Sequence, residues 1–235
     1  MLSPWGSFED EKLVGIIATR SEGSHIALFF VERSYQNRGI GRSLWNAVIE
    51  TSCAKEITVH SSIYAKGIYE NFGFLQNGEL CADDGIQYIP MVYNVLIQRL
   101  QDKDDKKAYA FARKIDAASA ASDEYYPYFE DFLGLTGSRN SFVRTRGFIL
   151  CCAQAKWDSQ GKLQEALPVL MRLLHDAKPT VVRQCLAALH EVALYRPELC
   201  EPILAEVKSI DLSEYKDSIA LLIKKDIDEL MKVLE

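Results

Sequence analysis

The chain has 235 residues, a formal net charge of −6, 48% hydrophobic and 26% charged residues, an ordinary globular composition for which disorder is not the default. With 8 basic and 11 acidic residues in the first hundred and 19 and 22 in the rest, neither half has the basic footprint of a nucleic-acid binder. No apolar stretch approaches the ~18 residues of a membrane span, and residues 1–8 lack the apolar core of a secretory signal.

The six cysteines follow no C-x-x-C spacing, and no cluster of ligand-type side chains suggests a metal. The expectation is a cytoplasmic protein with reduced thiols, no metal, and no nucleic-acid or membrane partner.

In chain order, Leu13 to Ala18 and Ile26 to Val31 are apolar runs that predict two buried strands, joined by a hairpin at Ser21-Glu22-Gly23-Ser24. Helical spacing runs from Gly41 to Cys53 through Leu44, Trp45, Val48 and Ile49. Ile57 to His60 predicts a short strand, and Ala65 to Phe72 a short helix. Two last strands are predicted over Leu75–Cys81 and Ile86–Val95, turned at Asp83-Asp84-Gly85.

Past the charged segment 101–107 this pattern stops, and helix follows helix with short breaks. The boundary is placed at 98–103, giving domains 1–98 and 103–235. The fold class is therefore an α+β domain, with a mixed and mostly antiparallel sheet, followed by an all-α domain. Ser141-Phe142-Val143-Arg144 and Thr180-Val181-Val182-Arg183 open similar apolar helices with their arginines 39 residues apart. That period resembles HEAT or armadillo helix pairs and implies a short stack of helices able to hold a protein partner. Arg144, Arg146 and Arg183 would line its groove or pair with acidic residues of a neighbouring unit. Trp157 and Asp158 are expected to end a helix.

The segment richest in chemistry runs from Val31 to Leu44, where a strand enters a glycine turn that opens a helix. Gly39 and Gly41 carry no Cβ, so the backbone there admits close approach of an anion. Unpaired amides and the positive helix end would face it, with Arg38 and Arg42 alongside. Read alone, the segment serves equally as a tight β-to-α turn that needs glycine.

It does not stand alone. Gln36-x-x-Gly39-x-Gly41 resembles the Q/R-x-x-G-x-G/A pyrophosphate motif of GNAT acetyltransferases, and Ala65 to Phe74 resembles that family's A-x-x-x-Y-x-x-x-G-F helix, in the same order. The resemblance covers about the first hundred residues and implies acetyl-CoA as co-substrate and an amine as acceptor. On it, Leu28, Phe29, Phe30 and Val31 would hold the pantetheine arm. Gln36, Asn37, Arg38, Gly39, Ile40, Gly41, Arg42 and Ser43 would hold the pyrophosphate, with Ser61 and Ser62 near the cofactor.

Tyr69 takes the family's general-acid position, the alternative being that it packs one face of a short helix. An amine of pKa near 10 must lose a proton before attack. His25 is the candidate base, directly or through a water, because it stands where histone-acetylating members carry a glutamate; it could instead be a structural hydrogen-bonding group, with Glu32 a weaker candidate. His60, His175 and His190 are read as structural.

The family's first strand and two helices are expected to be missing ahead of the hairpin. That would leave a sheet edge to be covered by the helical domain or by a second copy in a homodimer. Three functions follow: an N-acetyltransferase, a CoA-binding protein without turnover, or a scaffold built on the helices.

Overall fold

The computed structural model describes residues 1–83 and 85–234; Asp84, in the expected turn at 83–85, lies outside them. The chain divides into two compact units, Met1–Gln98 and Arg99–Glu235.

The first unit is built on a seven-stranded sheet. It opens with β1 (Ser3–Glu9), where the sequence reading placed no element, paired antiparallel to β2 (Lys12–Arg20). The turn between them places both Asp10 and Glu11 at positive φ, 48° and 65°. That geometry suits a two-residue hairpin and is usually announced by Asn-Gly.

β2 pairs antiparallel with β3 (His25–Val31). After α1 (Ile40–Thr51) the chain enters β4 (Glu56–Ser61), which runs parallel to β3. Next come α2 (Lys66–Phe72), β5 (Leu75–Gln76), β6 (Cys81–Asp83) and β7 (Ile86–Asn94). The predicted strand 75–81 is thus two short strands, each antiparallel to β7.

Along β4, Ile57 and Val59 are buried in the core and alternate with Thr58 and His60. Side chains on a strand point to alternate faces, so one face of the sheet packs on α1 through Leu44, Trp45 and Val48. Trp45 anchors this core, its ring centroid 5.0 Å from Phe74 and 4.9 Å from Tyr93. α3 (Val95–Leu100) follows β7.

The second unit is entirely helical: α4 (Asp105–Ser119), α5 (Phe129–Leu135), α6 (Ser141–Cys152), α7 (Lys162–Met171), α8 (Pro179–Tyr195), α9 (Cys200–Lys208) and α10 (Asp217–Leu234), with short 3-10 turns between. Local chemistry starts several of these helices. The Asp104 carboxylate accepts from the amides of Lys106 and Lys107, Asn140 caps α6, and Pro179 opens α8.

Arg144 donates two hydrogen bonds to Asp176, at 2.6 and 2.8 Å, and Arg183 two to Asp226, at 2.5 and 3.2 Å. Arg146 is buried and lies 3.4 Å from the Asp105 carboxylate. Asp158 is fully buried. It accepts from Tyr126 Oη, from the Lys162 and Leu163 amides and from Arg196, which binds both its carboxylate and its carbonyl. Trp157 donates from Nε1 to the Ser119 carbonyl at 2.6 Å. Cys151, Cys152 and Cys185 are buried thiols in this core.

Candidate functional site

The site begins where β3 leaves β4. Their parallel pairing consists of His25↔Thr58 and Ile26↔Val59, so from Ala27 onward the β3 main chain on that side has no ladder partner. An edge of unpaired N–H and C=O groups in the middle of a sheet invites an extended ligand.

β3 then runs through a 3-10 turn into α1. Gln36 donates from Nε2 to the Val31 carbonyl at 3.1 Å and closes the loop on itself. Asn37 and Gly39 adopt positive φ, 61° and 84°. Gly39 is the N-cap of α1, and no side chain caps this helix. A Cβ built on Gly39 would meet nothing within 4 Å, so its left-handed backbone rather than crowding selects glycine there. The first bond from this turn runs from the Ser43 amide to the Gly39 carbonyl, which leaves the first-turn amides for an outside acceptor.

These elements enclose a cavity of about 440 Å³, whose walls are Phe29, Phe30 and Val31 of β3, the turn from Tyr35 to Asn37, Gly39 to Arg42 of α1, and the Ala65 to Phe72 stretch around α2. Three consecutive β3 residues line it, so it meets the strand's edge and not one face alone. The Phe29 ring stacks on Phe72 at 5.8 Å. A Cβ on Gly41 would touch Phe29, Phe72 and Val31 at 3.6 to 3.8 Å, ordinary contact distances. Arg42 donates to the Asn71 carbonyl at 2.9 Å and lies over the Phe72 ring, which holds its charge at the α1–α2 junction. Arg38 lies over Tyr35.

Tyr69 reaches this cavity from α2, is 8% exposed, and packs edge-on against Phe74 at 5.3 Å. Burial pushes its phenol up to about 12. The group therefore stays protonated across the physiological range, as a proton donor requires.

His25 stands at the start of β3, where the two strands still touch. Its Nδ1 is 2.8 Å from Thr58 Oγ1, and its ring lies 5.0 Å from His60, which stacks on Tyr88 at 4.0 Å. Burial first, then the charges of Arg20 and His60, lower its pKa below the usual 6.5. It is neutral at pH 7 and able to accept a proton.

Of the residues singled out from sequence, Phe29, Phe30, Val31, Gln36, Asn37, Gly39, Ile40, Gly41, Arg42 and Tyr69 meet around the cavity. Leu28, Arg38, Ser43, Ser62 and His25 do not line it. Ser62 takes part in the turn into α2, where its Oγ accepts from the Ala65 amide. Glu32 is bonded to Lys12 and Ser34 at the surface.

Five lining residues were given no role from the sequence, although four of them lie in the Ala65–Phe74 motif: Tyr35, Ala65, Ile68, Asn71 and Phe72. Ala65, Ile68 and Phe72 share a helical face with Tyr69, and that spacing was the available signal. For Tyr35 there was none. Among the described residues no group of three or more His, Cys, Asp or Glu side chains could hold a metal ion, and no helix is long and apolar enough to cross a membrane.

Residues 4–95 match the family model of the acetyltransferase (GNAT) domain. This stretch is a GNAT acyl-CoA N-acyltransferase domain, and a helical region follows it. Among the solved structures that match are these two. One is a crystal structure described as "putative N-acetyltransferase from Lactobacillus plantarum", 16% identical, covering 37% of this chain and 64% of that one, with a TM-score of 0.34. The other is Escherichia coli ElaA, also 16% identical, covering 39% and 67%, with a TM-score of 0.33. The chain therefore spans about two thirds of the length of each. No curated protein matches it.

Proposed function

From the GNAT domain at residues 4–95, we propose that this protein is an acetyl-CoA-dependent N-acetyltransferase acting on an amine of a small molecule or protein. The observation that carries the reading is the parting of β3 from β4 beside an uncapped helix start, with a cavity along the β3 edge past that parting. The fit to the co-substrate is chemical. An amide-bearing arm finds an unpaired strand edge, and a diphosphate finds first-turn amides with Arg42 beside them. When bound, acetyl-CoA supplies an electrophilic acyl carbon and a thiol leaving group.

In this proposal the β3 edge from Leu28 to Val31 binds the arm, and the turn from Gln36 to Ser43 binds the diphosphate. Arg38 adds charge at the rim, and Ser62 orders the entry to α2. His25 takes the acceptor's proton at Nε2, directly or through one water. Tyr69 returns a proton from its hydroxyl to the departing sulfur. The N–C bond forms as the C–S bond breaks; His25 takes the proton that frees the amine lone pair, and the second proton, shed by the acylated nitrogen, restores the Tyr69 hydroxyl.

The helical region is read as a HEAT-like module that holds a protein partner. The Arg144–Asp176 and Arg183–Asp226 pairs support the repeat architecture, because each joins a helix start to an acid 32 or 43 residues further on. The free cysteines favour a reducing, cytoplasmic setting.

The test is calorimetry with acetyl-CoA, followed by thiol release from acetyl-CoA over a panel of primary amines. Binding that Gly39→Glu abolishes, with amine-dependent thiol release, supports the enzyme. Binding without release on any amine leaves a CoA-binding protein, and no binding by the folded chain refutes both.

A further inference from the structure

Thr58 sits on β4 directly opposite His25 in the parallel register. Its Oγ1 has two polar neighbours, His25 Nδ1 at 2.8 Å and the Ser24 carbonyl oxygen at 3.2 Å. The Ser24 carbonyl also accepts from the Thr58 amide at 2.9 Å, which ties the Thr58 backbone to the turn that precedes β3.

A hydroxyl carries one proton, and a carbonyl oxygen can only accept. If both contacts are hydrogen bonds, the Thr58 proton goes to Ser24, and Oγ1 must accept from the imidazole. The proton of the neutral ring then resides on Nδ1, and Nε2 keeps its lone pair. We propose that Thr58 is a positioning residue, holding His25 as the Nδ1–H tautomer with Nε2 free to take a proton from the acceptor amine. This deepens the acetyltransferase reading above and rests on His25 being its base.

The surroundings agree with a neutral ring. Arg20 is the register partner of His25 on β2, while Thr58 and His60 approach from β4. Tyr88 of β7 stacks on the far side of His60. No carboxylate is among these neighbours, so nothing there favours the imidazolium. The hydroxyl of Thr58 therefore does not set the charge of His25. It sets which nitrogen of the uncharged ring is the base.

The experiment reads the tautomer directly. The chain has four histidines, and loss of one resonance in His25→Gln assigns His25 in long-range proton–nitrogen spectra of the full-length protein. Above its titration, the wild type is expected to carry the proton on Nδ1. Thr58→Ser should keep that pattern, and Thr58→Val, which matches the shape without the hydroxyl, should lose it. In acetyl-CoA thiol release with the best amine of the panel, Thr58→Val should turn over about tenfold more slowly at unchanged acetyl-CoA KM, with Thr58→Ser near wild type.

A wild-type His25 protonated on Nε2 overturns the proposal, as does a Thr58→Val enzyme of wild-type rate beside a slow His25→Gln. If His25→Gln itself runs at the wild-type rate, the base reading falls and Thr58 has nothing to position, whatever the tautomer. Circular dichroism of the two Thr58 variants separates any of these results from loss of the fold.

Discussion

Alanine placed at Gly39 and at Gly41, one at a time, separates two reasons for glycine in the same turn. Gly39 has φ of 84° and open space where a Cβ would stand. Alanine there should cost about 1–2 kcal/mol for its left-handed conformation, offset by roughly 0.4–1 kcal/mol because alanine restricts the unfolded chain. The net loss is of order 1 kcal/mol, or a melting temperature lower by about 4–8 °C for a unit of this size.

Gly41 lies inside α1 at negative φ, and its added Cβ meets Phe29, Phe72 and Val31 at 3.6 to 3.8 Å. Its alanine variant should be unchanged or more stable, by up to about 1 kcal/mol from helix propensity. The assay is thermal unfolding followed by tryptophan fluorescence in a Trp157→Phe background. The remaining reporters, Trp5 and Trp45, then both belong to the first unit. A Gly39→Ala protein that melts at or above its parent, or a Gly41→Ala protein that is the more damaged of the two, refutes the geometry of the turn.

Tyr69→Phe should keep acetyl-CoA affinity within about twofold while kcat falls roughly a hundredfold, since a placed proton donor is worth 10²–10⁴; an unchanged kcat in steady-state assays would remove Tyr69 from the reaction. The pH profile of kcat/KM should have an acidic limb below 6.5. His25 must be neutral to act, its pKa is lowered, and activity is lost only as pH falls through that lowered value; a limb at or above 6.5 contradicts this. In the helical region, Gly147→Ala should destabilise by at least about 2 kcal/mol in urea unfolding, as overpacking does. Its Cβ would stand 2.6 Å from the Phe132 carbonyl oxygen and 2.8 Å from Leu135 Cβ, at the contact of α5 with α6.

Local chemistry carries far in this chain. Gly39 marks the turn because a left-handed residue at a helix N-cap favours glycine, and Gln36 and Gly41 complete the motif around it. The alternating apolar runs at Leu13–Ala18 and Ile26–Val31 and the helical spacing of Leu44, Trp45 and Val48 announce their elements, since burial of one face imposes the period. Tyr69 is legible through the A-x-x-x-Y-x-x-x-G-F resemblance, on a short helix that ends at Gly73.

What tertiary structure alone decided involves partners distant in sequence. β1 escaped because Pro4 and Gly6 are poor strand formers and the turn at Asp10-Glu11 lacks the usual residues; pairing with β2 makes it a strand, as cross-strand contacts override propensity. The run 75–81 breaks in two because separate stretches of β7 pair with its ends. The divergence of β3 from β4 after Ile26 is a property of neither strand by itself, and the β3 residues beyond it, Phe29 to Val31, line the cavity. Thr58, 33 residues from His25, could not be chosen from a list of threonines, nor Asp176 and Asp226 from a list of acids. A sequence sets the period and the turns through neighbours along the chain, whereas hydrogen bonds between side chains are set by which strands and helices fold against each other.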